Sequence, residues 1–590
     1  MKDFLKMTLA SLTGIILATI VFIFLGAILL VGMVSSSDAE TVVKKNSVML
    51  LDLNGKLVER RPETTIFEEL FRVGSTATYG LDEILSSIRK AKENDNIKGI
   101  YIQAQSLSAP YASLQEIRQA LTDFKESGKF IVAYADYYTQ RLYYLSSVAD
   151  KVILNPQGSV EWQGMAAQPT FYKNLLDKLG IDIQVFRVGG YKSAVEPFIA
   201  TEMSPENRQQ ISEYIGSIWN TMLTDISASR QLPVDSLSSL ADRMLMLKDA
   251  ELTLQAGLVD TLMYEMDVRD YLRTTWLELD KDKKFPVLDL EAMYNVRRHV
   301  PKDKSGHVIA VYYAVGDIVS SDGGTGEAIA SEKMIRDLRK LQQDENVKAV
   351  VMRVNSPGGS AYASEQIWHA VKELKAEKPV IVSMGDYAAS GGYYIACIAD
   401  TIVAQANTLT GSIGIFGMIP NLKGLTDKIG LDFDVVKTNK YSDFGNLTRA
   451  FNAEESEIMQ EYLNQGYALF LNRCAEGRGV SAEEIHSVAQ GRVWTGDKAL
   501  ELGLVDVLGG LDTALEIAIR KAGVEKYTVI AYPEKENLLS SLLSSSSSRS
   551  IESRLLKENL GGYYSDFMLL KNLQEADQIQ ARLPFELHLK

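Results

Sequence analysis

The chain is 590 residues long, with 76 Asp and Glu against 62 Lys and Arg and a formal net charge of −14. That length exceeds what one hydrophobic core supports, so two or more domains are expected. The acidic balance, without a basic stripe interleaved with aromatics, argues against nucleic acid as a partner. The only cysteines, Cys397 and Cys474, show no metal-ligand spacing, so no disulfide framework, metal or cofactor is expected.

Residues Thr8 to Val34 carry no charge at all. The run is longer than the roughly 20 residues that cross a bilayer and much longer than the apolar core of a cleaved signal. Lys2 and Lys6 precede it and Asp38 and Glu40 follow, an asymmetry that leaves the N-terminus in the cytoplasm and the remainder outside. Cleavage near Ser35–Ala39 is the alternative. From Ser47 the chain alternates apolar strand runs with amphipathic helical stretches. Val48–Leu53, Gly99–Ile102 and Phe130–Tyr134 read as strands, Leu81–Lys92 and Leu114–Lys125 as helices. This is the pattern of βα units around a largely parallel sheet.

The pattern then repeats. Adding 250 to a residue number in the first half lands on its counterpart in the second. Asp136-Tyr137 matches Asp386-Tyr387, Tyr143-Tyr144 matches Tyr393-Tyr394, and Ala149-Asp150 matches Ala399-Asp400. Later the register drifts, and Gly257-Leu258-Val259-Asp260 pairs with Gly503-Leu504-Val505-Asp506. Two copies of one fold follow. The expected division is 1–46 (cytoplasmic stub, anchor and linker), 47–300 (first copy), 301–530 (second copy) and 531–590, a Ser-rich, partly mobile extension in which the run 540–549 is mobile and the segment after it either docks or stays loose.

The copies differ in a complementary way. Ser390, in Gly385-Asp386-Tyr387-Ala388-Ala389-Ser390-Gly391-Gly392, faces Gln140 of the first copy, and Ser356-Pro357-Gly358-Gly359 faces Ser106-Leu107-Ser108-Ala109. Lys192 of the first copy faces Ser442 of the second. A serine hydroxyl needs a base to become a nucleophile. The five histidines (His299, His307, His369, His486 and His588) sit in linker, terminal or helix-face contexts that suit surface or packing roles. Lysine is the other base that serine chemistry uses. To serve near neutral pH its pKa must fall by about three, roughly 4 kcal/mol of differential stabilisation, which burial can supply. Glu196 would oppose that shift and is expected to point elsewhere. Gly358 and Gly359, after a strand, and Gly391, beside the serine, can present bare amides to an oxyanion. From these residues alone, Ser390 as a helix N-cap and Lys192 as a solvated lysine remain open.

The stretches Asn355–Gly359, Gly385–Tyr394, Thr410-Gly411-Ser412-Ile413-Gly414 and Tyr191-Lys192-Ser193 resemble the signal peptide peptidase A (protease IV) family in its long, double-repeat form. The resemblance covers nearly all of residues 47 to 530. It implies an α/β fold of tandem crotonase- or Clp-protease-like domains, built of ββα spiral units, after an N-terminal transmembrane helix. It also implies a serine endopeptidase with Ser390 as nucleophile, Lys192 as general base and Ser412 holding the lysine amine. A homotetramer on the periplasmic side of the bacterial inner membrane, degrading cleaved signal peptides and other small or unfolded peptides, goes with it. Two other classes compete. A crotonase-fold acyl-CoA enzyme would need a phosphate-binding basic cluster, which is not apparent. A non-catalytic oligomeric membrane scaffold would have no use for the serine, lysine and glycine turn.

Overall fold

The computed structural model describes residues 4, 6–8, 10–22, 40–61, 77–297, 305–321, 328–534 and 579–582. Residues 9 and 23–34 of the expected transmembrane run, residues 301–304 at the expected boundary and the serine-rich stretch lie outside them. Among the described residues no helix is long and apolar enough to cross a membrane.

The first half builds a parallel sheet. Its strands are β1 (Ser47–Val58), β2 (Ala77–Gly80), β3 (Ile97–Ser108), β4 (Phe130–Tyr138) and β5 (Lys151–Val160). A further strand, β6 (Asp182–Arg187), leaves this sheet, while β7 (Thr261–Leu262) closes its far edge and β8 (Val287–Leu288) pairs β1. Helices α1 (Leu81–Glu93), α2 (Tyr111–Lys125) and α3 (Gln140–Ser146) connect the strands. Apolar residues of α1 such as Ile84, Leu85 and Ile88 are buried against it, which places the expected amphipathic stripe on the core.

The second half repeats the plan. Strands β9 (Val308–Val315), β10 (Asp317–Val319), β11 (Ala328–Ala330), β12 (Val347–Ser356), β13 (Gly358–Ser360), β14 (Val380–Ala389) and β15 (Thr401–Ala404) come first. They are followed by β16 (Leu409–Gly411), β17 (Phe416–Asn421), β18 (Val493–Thr495), β19 (Val507–Leu508) and β20 (Thr528–Tyr532). The order β9-β12-β14-β15 reproduces β1-β3-β4-β5, parallel throughout.

The repeated residues now have physical reasons. The buried Tyr143 hydroxyl donates to the Leu258 carbonyl at 2.8 Å, and Tyr393 donates to Leu504 at 3.0 Å. Asp150 accepts from the Ile131 amide and Asp400 from the Val380 amide, both at 2.8 Å. Asp260 and Asp506 accept from Val152 and Ile402, both at 2.7 Å. Each satisfies a buried polar group that cannot be left without a partner, so substitutions there are costly in both copies.

A third sheet ties the halves together. Its order is β11-β10-β13-β21-β17-β6, where β21 (Ile579–Arg582) comes from the C-terminal extension. Strand β6 of the first half pairs antiparallel with β17 of the second from Asp182↔Asn421 to Arg187↔Phe416. At these four residues, where the sequence leaves docked and loose both open, the strand is docked, its backbone groups paired on both sides.

Beneath this seam lies an ionic cluster shared by both halves. Arg353 of β12 is 1 % exposed and donates to Glu59 at 2.8 and 3.2 Å and to Glu116 at 2.8 Å. Asn355 bridges Glu59 at 2.8 Å and Asp386 at 3.1 Å, and Asp386 also accepts from the Ser113 amide and hydroxyl. Burial, with Glu59 nearby, pushes the Asp386 carboxyl up to about 6. Removing one partner of such a cluster strands the others in a dry interior. Arg353→Met is therefore expected to cost about 3–5 kcal/mol of stability, read from urea unfolding. A loss below about 1 kcal/mol would mean that water reaches the cluster.

Candidate active site

Ser390 terminates β14 and precedes a short helix, α4 (Gly391–Ala396 in the second half). The strand runs five residues past the apolar run ending at Met384, because Tyr387, Ala388 and Ala389 pair with Leu409, Thr410 and Gly411 of β16. This pairing drives the chain into a sharp turn. Ser390 adopts φ 54° and ψ −112°, outside the regions comfortable for a residue with a Cβ. Its amide donates to the Gly411 carbonyl at 2.8 Å, and its carbonyl accepts from the Tyr394 amide at 2.8 Å. The turn is over-determined on both sides, as strained functional positions are. Ser412 also has positive φ, 50°. Neither strain was legible in the sequence.

Lys192 follows β6. The loop before it is anchored to the second half, with the Val188 amide on the Ile415 carbonyl (3.3 Å) and the Tyr191 amide on Gln490 (3.1 Å). Its side chain crosses the seam. The amine Nζ stands 2.8 Å from Ser390 Oγ, 3.0 Å from Ser412 Oγ and 3.0 Å from the Ser412 carbonyl. Ser390, Lys192 and Ser412 are each 0 % exposed. Burial pushes the lysine well below its ordinary pKa. Glu196 does not counter this. Its carboxylate accepts from Ser204 Oγ at 2.6 Å and Asn207 Nδ2 at 2.8 Å, and lies 3.8 Å from Arg187. The Phe416 ring, 6.0 Å from the amine, forms part of the apolar wall.

The glycine positions meet the serine turn closely. Gly358, at φ 106°, comes so near the turn that a side chain there would begin 2.9 Å from the Gly391 nitrogen. A side chain on Gly391 would begin 2.7 Å from Ser364 Oγ. Both positions therefore need glycine. The Gly358 amide donates to Ser356 Oγ at 3.2 Å, and Gly359 lies next to it in β13, paired with Ile318 on the other side.

The matching places in the other copy are filled differently. Gln140, opposite Ser390, accepts from the Gly164 amide at 3.0 Å and the Gln163 amide at 3.2 Å, a structural plug. Ser442, opposite Lys192, is exposed and accepts from the Asn439 amide at 3.1 Å. Among the described histidines, His369 is exposed on a helix, and His486 shares a 2.9 Å hydrogen bond with the Tyr467 hydroxyl. Among the described residues no group of His, Cys, Asp and Glu could hold a metal.

Two kinds of comparison bear on this arrangement. The sequence profile of peptidase family S49 matches twice, at residues 123–276 and 372–525, and that of Clp protease matches residues 317–408. The chain is 36 % identical to Protease 4 of Salmonella typhi over 87 % of its own length and 84 % of that protein. It is 35 % identical to Protease 4 of Haemophilus influenzae, over 88 % of each. The chloroplastic serine protease SPPA of Arabidopsis thaliana is 32 % identical, over 85 % of this chain and 73 % of that one. A tandem α/β architecture, a twice-matched peptidase profile and relatives matched over most of their length lead to one conclusion: the chain belongs to peptidase family S49 and is a serine-type peptidase.

Proposed function

We propose that the chain is a membrane-anchored endopeptidase that uses a Ser390–Lys192 dyad to degrade cleaved signal peptides and other small or unfolded peptides. The observation that carries this reading is the 2.8 Å contact between Ser390 Oγ and Lys192 Nζ, made where neither group meets solvent. An unprotonated amine can accept the hydroxyl proton as Oγ attacks the peptide carbonyl. The Ser412 hydroxyl and carbonyl fix the amine so that its lone pair faces Oγ. The amides of Gly359 and Gly391, joined by that of Gly358 once it leaves Ser356 Oγ, would hold the oxyanion that develops. Lys192 then returns the proton to the departing amine, and the acyl group stays on Ser390. In the second half, Lys192 takes a proton from water, the hydroxide attacks the ester, and Ser390 regains its hydrogen.

The charge-free run Thr8–Val34 supports an inner-membrane anchor with the catalytic repeats on the periplasmic side. The division we propose remains 1–46, 47–300, 301–530 and 531–590, with a homotetramer as the working assembly.

Ser390→Ala and Lys192→Ala are each expected to lower kcat on a signal-like peptide by about 10³-fold or more, with unfolding midpoints unchanged. Ser412→Ala should cost about tenfold, the loss of one net hydrogen bond. Full activity in either dyad variant would reject the assignment.

The pH profile carries a sign. Burial lowers the lysine pKa, so the free-base form exists well below pH 10.5. Accordingly kcat/KM should rise with pH and level off far below that value, whereas a limb near 10.5 would mean a solvated lysine.

Deleting residues 8–34 should release an active peptidase from the membrane pellet, and sedimentation in detergent should give four chains per particle. A shortened chain that still pellets contradicts the anchor.

A further inference from the structure

Strand β14 carries two residues more than its neighbour β12 needs, and the surplus falls just before Ser390. The two strands pair in step from Val350↔Val380 to Val354↔Met384, but the next pair is Ser356↔Ala388. Gly385, Asp386 and Tyr387 therefore bulge opposite the single residue Asn355. In an unbroken ladder Ser356 would face Asp386. Ser390 would then lie two residues, about 7 Å, further along relative to the glycine turn. A surplus of two also keeps the alternation of faces, which a surplus of one would reverse. Bulges next to active sites re-aim side chains in this way.

A bulge takes backbone groups off the ladder, and each needs a new partner. The Met384 carbonyl accepts from Arg353 at 3.3 Å, and the Gly385 carbonyl from Thr408 Oγ1 at 2.7 Å. The Tyr387 amide donates to Asn355 Oδ1 at 3.1 Å. The other end of that carboxamide donates to Glu59 at 2.8 Å and to Asp386 at 3.1 Å. The Asn355 carbonyl in turn accepts from the Gly316 amide at 3.0 Å. A side chain on Gly385 would begin 2.9 Å from Asn355 Cβ and Cγ and 2.4 Å from Glu59 Oε1. Glycine there lets the carboxamide close over the bulge.

Both parts of the site start from this point. Asn355 stands three residues before Gly358, and Tyr387 three residues before Ser390. In the first copy Gln105 and Ala135 occupy the places of Asn355 and Gly385, and β3 and β4 keep step from Gly99↔Phe130 to Gln103↔Tyr134. That copy has Gln140 where the serine would be aimed.

Resting on the peptidase reading above, we infer that Asn355 is a positioning residue for acyl transfer, whose carboxamide closes the β14 bulge and so holds Ser390 level with the glycine turn. It acts through the Tyr387 amide and does not touch the substrate. A misplacement of about 1 Å between nucleophile and oxyanion donors is enough to cost about 10²-fold in rate.

Peptide hydrolysis by full chains in detergent, normalised to Ser390 sites titrated to completion with a fluorophosphonate, tests this. Asn355→Ala should lower kcat about 10²-fold with KM within about twofold. Its affinity for a peptide aldehyde, whose adduct needs serine and oxyanion donors in line, should fall by a similar factor. Asn355→Asp keeps an acceptor for the Tyr387 amide but sets a carboxylate beside Glu59 and Asp386. It should unfold at a lower temperature than Asn355→Ala yet retain more kcat, an order that a purely structural role would not produce. A kcat per titrated site near the wild-type value in Asn355→Ala overturns the inference and leaves the peptidase reading standing. So do an unchanged aldehyde affinity and a kcat that follows stability across the two variants. Two variants without a titratable site would assign Asn355 to folding alone and overturn it as well. A wild type that neither cuts the peptide nor titrates overturns both readings.

Discussion

The catalytic dyad proposed for this chain depends on keeping an amine dry. An ammonium ion is stable in water and costly in an apolar interior, so a lysine that must be neutral near pH 7 requires a cavity closed on all sides, worth roughly 4 kcal/mol of differential stabilisation. One half cannot provide that closure. Lys192 leaves β6 of the first half, and its walls come from Phe416 and the Ser412 turn of the second. Pairing of β6 with β17 along six residues brings those walls together. Orientation of the halves also rests on Arg353, whose guanidinium is held by Glu59 and Glu116 from across the seam. The same β12 strand that carries Arg353 leads through Asn355 and Ser356 into the glycine turn. Stability of the seam and geometry of the turn are thus consequences of one set of contacts.

Division of labour between duplicated halves follows from this requirement. Two complete sites would each need a buried lysine, a strained serine and an open groove. Instead, Gln140 plugs the first copy's turn with hydrogen bonds to its own loop, and Ser442 stands on the surface. What both copies retain is structural. Tyr143 and Tyr393, Asp150 and Asp400, and Asp260 and Asp506 each satisfy a backbone group that the fold buries.

Much of this was legible because it is periodic or complementary. The 250-residue offset exposed the pairs of tyrosines and aspartates that hold each copy together, and it set Ser390 and Lys192 apart as residues without counterparts. Other features leave no local trace. Small residues such as Ala388 and Ala389 have weak strand preference, so the extension of β14 to the serine came only from pairing with β16. Glu59, Glu116, Arg353 and Asp386 look like surface charges in sequence, and only the tertiary seam makes them a buried cluster. Ile579–Arg582 is too short for any periodicity, and its place follows from a gap that other strands create.

The charge on Lys192 is the most direct test. Lysine labelled with ¹³C at Cε gives one resonance per residue, and the Lys192 signal is the one absent from Lys192→Ala. The account predicts that this signal titrates far below the others, with the amine already neutral in the range where the enzyme works. A Lys192 resonance that titrates with the solvated lysines near 10.5 would contradict it.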